Sequence, residues 1–155
     1  MSAASLSAIV AALADFLREG YAELEADEEN GWAVQVEPQY LVNPQPPSID
    51  IYQGRTPSRD LSTAGYGDEF GAYILTVRFR MLTADYDAGQ ELMYLLSDDA
   101  SDYSLAAGVE AAYPLDGLAA SIDVQDFSGI TVYPEGDVDK WIGFSLAVRI
   151  IPAES

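Results

Sequence analysis

The segment Gly71 to Thr83, GAYILTVRFRMLT, restricts the fold more than any other part of the chain. Every second residue, Tyr73, Leu75, Val77, Phe79 and Met81, is apolar, and the residues between them are Ile74, Thr76, Arg78 and Arg80. A period of two is the signature of a strand with one face on a core and the other toward solvent or a partner. The stretch Lys140 to Ile151 repeats the pattern, with Ile142, Phe144, Leu146, Val148 and Ile150 on one face and Gly143, Ser145, Ala147 and Arg149 on the other. Two long half-buried strands require a sheet, and the apolar face of that sheet requires a cover.

Helices supply the cover. From Ser5 to Leu24 the residues Leu6, Ile9, Val10, Leu13, Phe16, Leu17 and Leu24 fall at helical spacing behind a serine cap at Ser2 or Ser5. The helix is expected to end at Gly20 or in the acidic EADEENG that follows, where Asn30-Gly31 suits a reversal. A first strand is expected from Trp32 toward Tyr40, and a short second one from Ile49 to Tyr52, with proline-rich chain between. Asp85 to Leu96 reads as a helix with Ala88, Leu92, Leu95 and Leu96 on one face. After a break at Ser97 to Asp102, Ser101 is placed to cap a third helix carrying Leu105, Val109 and Ala112. Leu115-Asp116-Gly117 turns into a strand around Ile122 and Val124. A short apolar stretch, Ile130 to Tyr133, follows, and then a turn at Pro134-Glu135-Gly136-Asp137. This order implies an α+β fold, an antiparallel sheet with its helices packed on one face.

At 155 residues the chain is expected to be a single domain, residues 1–155, large enough for a core without staples. Cysteine and histidine are both absent, which removes disulfides, thiolate nucleophiles, histidine-based acid–base chemistry and the commonest transition-metal ligands. Chemistry would have to rest on carboxylates, Tyr, Ser, Thr or the lone Lys140. Seven basic residues against 26 acidic ones give a net charge of −19, which repels nucleic acid. The apolar fraction of 49% is too high for an acidic disordered chain. No run approaches a membrane span and the start lacks a basic signal region, so a cytosolic protein is expected.

The acidic clusters do not resolve into a metal site. Glu135, Asp137 and Asp139 alternate as carboxylates do in calcium loops, but the twelfth position counted from Glu135 is Leu146, inside a strong strand. Asp98, Asp99 and Asp102 read as helix ends. Asp137, Asp139 and Lys140 miss the nuclease spacing because position 138 is Val, and no glycine-rich phosphate loop is present. No catalytic, cofactor or metal residue is therefore expected. Residues 53 to 69, QGRTPSRDLSTAGYGDE, form a long polar connection carrying Arg55 and Arg59. With so few basic residues in the chain, Arg55, Arg59, Arg78 and Arg80 are the candidate interface residues; the plainer role for Arg78 and Arg80 is to balance carboxylates on the sheet.

The segments SLSAIVAALADFLREGYAEL, LMYLLSDDASDYSLAAGVEAAYPLDGLAASIDVQDFSG and WIGFSLAVRI resemble the opening helix, the helix pair with its "LDGL" turn and returning strand, and the closing strand of phage tail terminator proteins of long non-contractile tails. The resemblance implies a mixed, mainly antiparallel sheet flanked by helices, with a long loop within the sheet. It implies a structural virion protein, not an enzyme, without cofactors: a hexameric ring on the head-proximal end of the tail tube that ends tube polymerisation and joins the head. The implied partners are copies of itself, the tail tube protein and a head–tail connector or stopper, with DNA passing through the lumen without specific binding and no membrane contact. Such a ring is assembled in the host cytoplasm and resides in the virion neck. The pronounced acidity suits another neck ring as well, an adaptor or stopper. From a different class, a small carboxylate-using enzyme or ligand-binding module remains an alternative.

Overall fold

The computed structural model describes residues 4–27, 32–42, 47–53, 72–135 and 138–153. Its elements are α1 (Leu6–Ala26), β1 (Gln35–Glu37), β2 (Ser48–Gln53), β3 (Tyr73–Leu82), a 3-10 turn (Thr83–Asp85), α2 (Tyr86–Ser97), α3 (Leu105–Ala111), β4 (Ala119–Phe127), β5 (Thr131–Glu135) and β6 (Val138–Pro152). The fold is α+β. Six strands form one mixed, mostly antiparallel sheet in the order β1-β2-β3-β6-β4, with β5 also pairing β6. Only β1 and β2 run parallel.

The two strands recognised by alternation lie side by side at the centre of the sheet. Phe79 faces Phe144, Val77 faces Leu146 and Leu75 faces Val148, so the two apolar faces coincide and are buried together. Ile49 and Ile51 of β2 extend that face, and Ile9, Leu13, Leu17 and Leu24 of α1, Leu92, Met93 and Leu96 of α2, and Leu105 and Val109 of α3 close over it. Each such side chain contributes about 1.5–3 kcal/mol on leaving water. Gly143 is the one position on β6 that cannot carry a side chain, since a Cβ there would lie 1.7 Å from the Phe79 carbonyl oxygen.

Ser5 caps α1 by accepting from the Ala8 amide at 3.1 Å. The helix runs through Gly20 and ends at Ala26, and Phe16, expected on the buried face, is 40% exposed. In α2 the buried face is Gly89, Leu92, Met93 and Leu96; Ala88 faces solvent. Ser104, not Ser101, caps α3, accepting from the Ala107 amide at 3.2 Å, while the Ser101 hydroxyl accepts from the Tyr103 amide within the preceding turn. The turn at Leu115-Asp116-Gly117 is left-handed throughout, with φ of 54°, 55° and 89°. Leu115 carries that conformation with its side chain buried in the core, which offsets the backbone cost.

The first strand is shorter than its alternation suggests. Only Gln35 to Glu37 pair, and Pro38, which has no amide hydrogen, follows. The Gln35 amide donates to the Pro47 carbonyl, so Gln35 and Glu37 turn their backbone toward β2 and Val36 turns its own outward. There Arg18 of α1 donates to the Val36 carbonyl at 2.6 Å. The opposite border of the sheet is built by β4 and β5 in succession along β6, and among the described residues no strand pairs their far side. Phe127, Ile130 and Val132 on this border are more than 40% exposed.

Candidate functional site

The face of the sheet away from the helices carries the densest polar chemistry among the described residues. In β2, Ile49 and Ile51 point to the core, so Ser48, Asp50 and Tyr52 point the other way. Register then decides their neighbours: Ser48 lies opposite Arg80, Asp50 opposite Arg78 and Tyr52 opposite Thr76. Arg78 in turn faces Ser145 of β6, and Arg80 faces Gly143.

Asp50 is fully buried, and Arg78 and Arg80 are 7% and 4% exposed. Arg78 grips Asp50 with two prongs, Nε to Oδ1 at 3.0 Å and Nη2 to Oδ2 at 2.5 Å. Arg80 Nη2 donates to Oδ2 at 3.2 Å and to the Leu41 carbonyl at 2.7 Å, and the Leu41 amide donates to Oδ2 at 3.0 Å. One carboxylate thus holds both arginines and the 38–42 segment that crosses this face. Aromatic rings complete the enclosure. The Arg78 guanidinium carbon lies 4.8 Å, 5.2 Å and 5.7 Å from the ring centres of Tyr40, Tyr52 and Tyr133, and that of Arg80 lies 5.6 Å from Trp141.

The two guanidiniums are not equivalent. Burial disfavours the charge on both, but the hydrogen bonds and charge of Asp50 overcome it at Arg78, whose pKa is raised. At Arg80 burial wins and the pKa is lowered. Burial also raises the pKa of Tyr52 and Tyr133, keeping both rings neutral around the cluster.

Arg78 and Arg80, expected on a face meeting solvent or a neighbour, are buried within the subunit in the carboxylate-balancing role that was the plainer reading of them. Their balancing carboxylate is Asp50, and the pair is buried, not a solvated one. Arg55 and Arg59, with all of the 53–69 connection beyond Gln53, lie outside the described residues, as do the side chains of Glu135, Asp137 and Asp139. Asp98 closes α2, and its Oδ1 accepts from the Ala100 amide at 2.9 Å. No group of three potential ligands that could hold a metal occurs among the described residues. Nor does any described helix have the length and apolarity to cross a membrane.

Asp50 itself escaped the sequence reading. The available signal was a single acid at an alternate position of an apolar strand, SIDIY, which pairs directly with the strand carrying Arg78 and Arg80. On the helix side an open groove of about 510 Å³ runs between α2, α3 and the β4 border, with Asp99, Glu110 and Asp126 beside Leu96, Val124 and Phe127. No protein-family model matches this sequence, and no curated protein matches it.

Proposed function

We propose that this chain is a structural subunit of a phage neck, a tail terminator that forms a ring on the head-proximal end of the tail tube. In that role it stops tube growth, offers the surface to which the head connector docks, and lets DNA pass through its lumen. The observation that carries this reading is the order of elements. An opening helix, then the α2–α3 pair, the Leu115–Gly117 turn, a returning strand and a closing strand follow one another as the resemblance implies.

Two further features support it. The β4–β5 border exposes Phe127, Ile130 and Val132, an apolar strip suited to a neighbouring copy. A head-to-tail contact made by such a strip with a different surface of the next subunit generates a closed ring when the rotation fits. The net charge of −19 suits a conduit, since like-charge repulsion from a lumen wall keeps DNA from adhering.

The test is polymerisation of tail tube subunits with and without this protein, read by electron microscopy. Added protein is expected to arrest tubes at one end at a stoichiometry of one ring per tube, and native mass measurement is expected to give a hexamer. Tubes that grow unchanged beside a protein that stays monomeric at every concentration would refute the reading.

A further inference from the structure

We infer that the sheet face opposite the helices binds a small monovalent inorganic anion, of the size and charge of chloride, between Ser48 and Arg80. The argument starts from charge. Arg78 and Arg80 bring two positive charges into an enclosed site, and among the described residues Asp50 is the carboxylate that pairs with either. Asp50 supplies a single negative charge, and its two oxygens already accept from Arg78 Nε, Arg78 Nη2, Arg80 Nη2 and the Leu41 amide. Among the described residues one positive charge is left without a counter-charge, and a buried charge without a partner is among the costliest things a fold can contain.

The geometry shows where the counter-charge belongs. Among the described residues two buried side-chain atoms lack a hydrogen-bond partner, Arg80 Nε and Ser48 Oγ. They belong to residues directly opposite each other in the β2–β3 register, on the same face of the sheet, where Cβ atoms are about 4.5–5.5 Å apart. Ser48 is fully buried and Arg80 is 4% exposed. Two facing residues thus each carry a buried donor with nothing to donate to, the Ser48 O–H and the Nε–H of the guanidinium whose pKa burial has lowered. The aromatic rings do not fill this role, because Trp141 meets Arg80 through its ring face, whereas Nε–H lies in the guanidinium plane. A water between the two donors would satisfy hydrogen bonding but leave the charge uncompensated.

Size and field narrow the ligand further. Both atoms are sealed from solvent, which excludes a bulky anion or a carboxylate reaching in from another protein, and leaves a single small ion. The overall charge of −19 opposes any anion, but it acts from a distance and is screened beyond about 8–10 Å at physiological ionic strength, whereas the donors act at contact. The site is independent of ring formation, being complete within one subunit.

The test is urea unfolding of the full chain in sodium chloride and in sodium gluconate at the same ionic strength. The wild-type midpoint is expected to be higher in chloride, with the folding equilibrium shifted about a hundredfold when chloride stands a hundred times above its dissociation constant. In Ser48→Ala the chloride advantage is expected to shrink, whereas a general salt effect would persist unchanged. Equal chloride advantages in the two proteins would overturn the proposal. Wild-type crystals grown in bromide give a reading that needs no variant. An anomalous peak within hydrogen-bonding distance of Arg80 Nε supports the site, and a water there without anomalous signal overturns it.

Discussion

Replacing Asp50 with alanine is the sharpest perturbation of the buried cluster. The substitution removes the acceptor of four hydrogen bonds and leaves two guanidiniums whose side chains are only 8% and 5% exposed. Hydrogen bonds to charged groups contribute about 1.5–3 kcal/mol each, but the four share one carboxylate and the arginines can partly relax toward water. The expected cost is therefore nearer that of breaking one buried ion pair, about 3–5 kcal/mol. Against a total stability of about 5–15 kcal/mol this is a large share. It corresponds to a melting temperature lower by roughly 6–20 °C for a domain of this size. Urea unfolding followed by circular dichroism measures it, with an unchanged slope expected. Hydrogen exchange adds a local reading, because the Leu41 amide donates to Asp50 and is expected to lose its protection. The converse variant, Asp50→Leu with Arg78→Met and Arg80→Met, removes the charges together and is expected to recover most of the loss. The reasoning is refuted if Asp50→Ala unfolds within about 1 kcal/mol of wild type, or if the triple variant is no more stable than the single one.

Two glycines with similar crowding are expected to behave oppositely. Gly143→Ala places Cβ 1.7 Å from the Phe79 carbonyl oxygen, against backbone that cannot yield without opening the central strand pair, and is expected to cost about 3 kcal/mol or more in urea unfolding. Gly89→Ala brings Cβ within 2.0 Å of Met81 Cε, the end of a flexible side chain, and helix propensity returns about 1 kcal/mol, so its midpoint is expected within about 1 kcal/mol of wild type. Burial raises the pKa of Tyr21, whose hydroxyl donates to the Tyr103 carbonyl at 3.0 Å; its stability contribution is whole below the unfolded value near 10 and is lost as pH climbs beyond it. Tyr21→Phe is expected to flatten that alkaline decline in a pH series of unfolding midpoints. Finally, association of subunits that each carry −19 is expected to strengthen with salt in sedimentation velocity, since Arg78 and Arg80 are committed within the subunit and cannot supply salt-sensitive bridges between subunits. Rings that dissociate as salt rises would show that other ion pairs govern closure.

What could be read from the chain follows the range of the forces involved. The central strands were legible because alternation is local, and burial of Leu75, Val77, Phe79, Leu146 and Val148 on one side follows from it directly. The α1 cap, read as Ser2 or Ser5, was legible for the same reason, and Ser5 is the one that caps. The buried cluster was not, because alternation marks Asp50, Arg78 and Arg80 as facing away from the core without saying what covers them. Their enclosure depends on the β2–β3 register and on residues 38–42 folding across that face, and both are set by contacts distant in sequence. Local signals also overran where competing acceptors intervene. Alternation from Trp32 to Tyr40 implied a longer strand than the Gln35–Glu37 that pair, and a serine three residues later displaced Ser101 as the α3 cap.

The Arg18 contact with Val36 has a consequence for how copies of this subunit meet. Backbone pairing between molecules propagates without limit only when every molecule offers a receptive border on both sides, since each addition must expose the next one. Here Val36 carries the outward-facing carbonyl of a three-residue strand, and that carbonyl is occupied by a side chain from the same molecule. Strand-on-strand stacking of the β4–β5 border onto the β1 border of the next copy is therefore disfavoured, and a head-to-tail contact made by the apolar strip falls on another surface of its neighbour. A protein with exposed apolar residues along one border is thus kept from runaway stacking by a single guanidinium at the other.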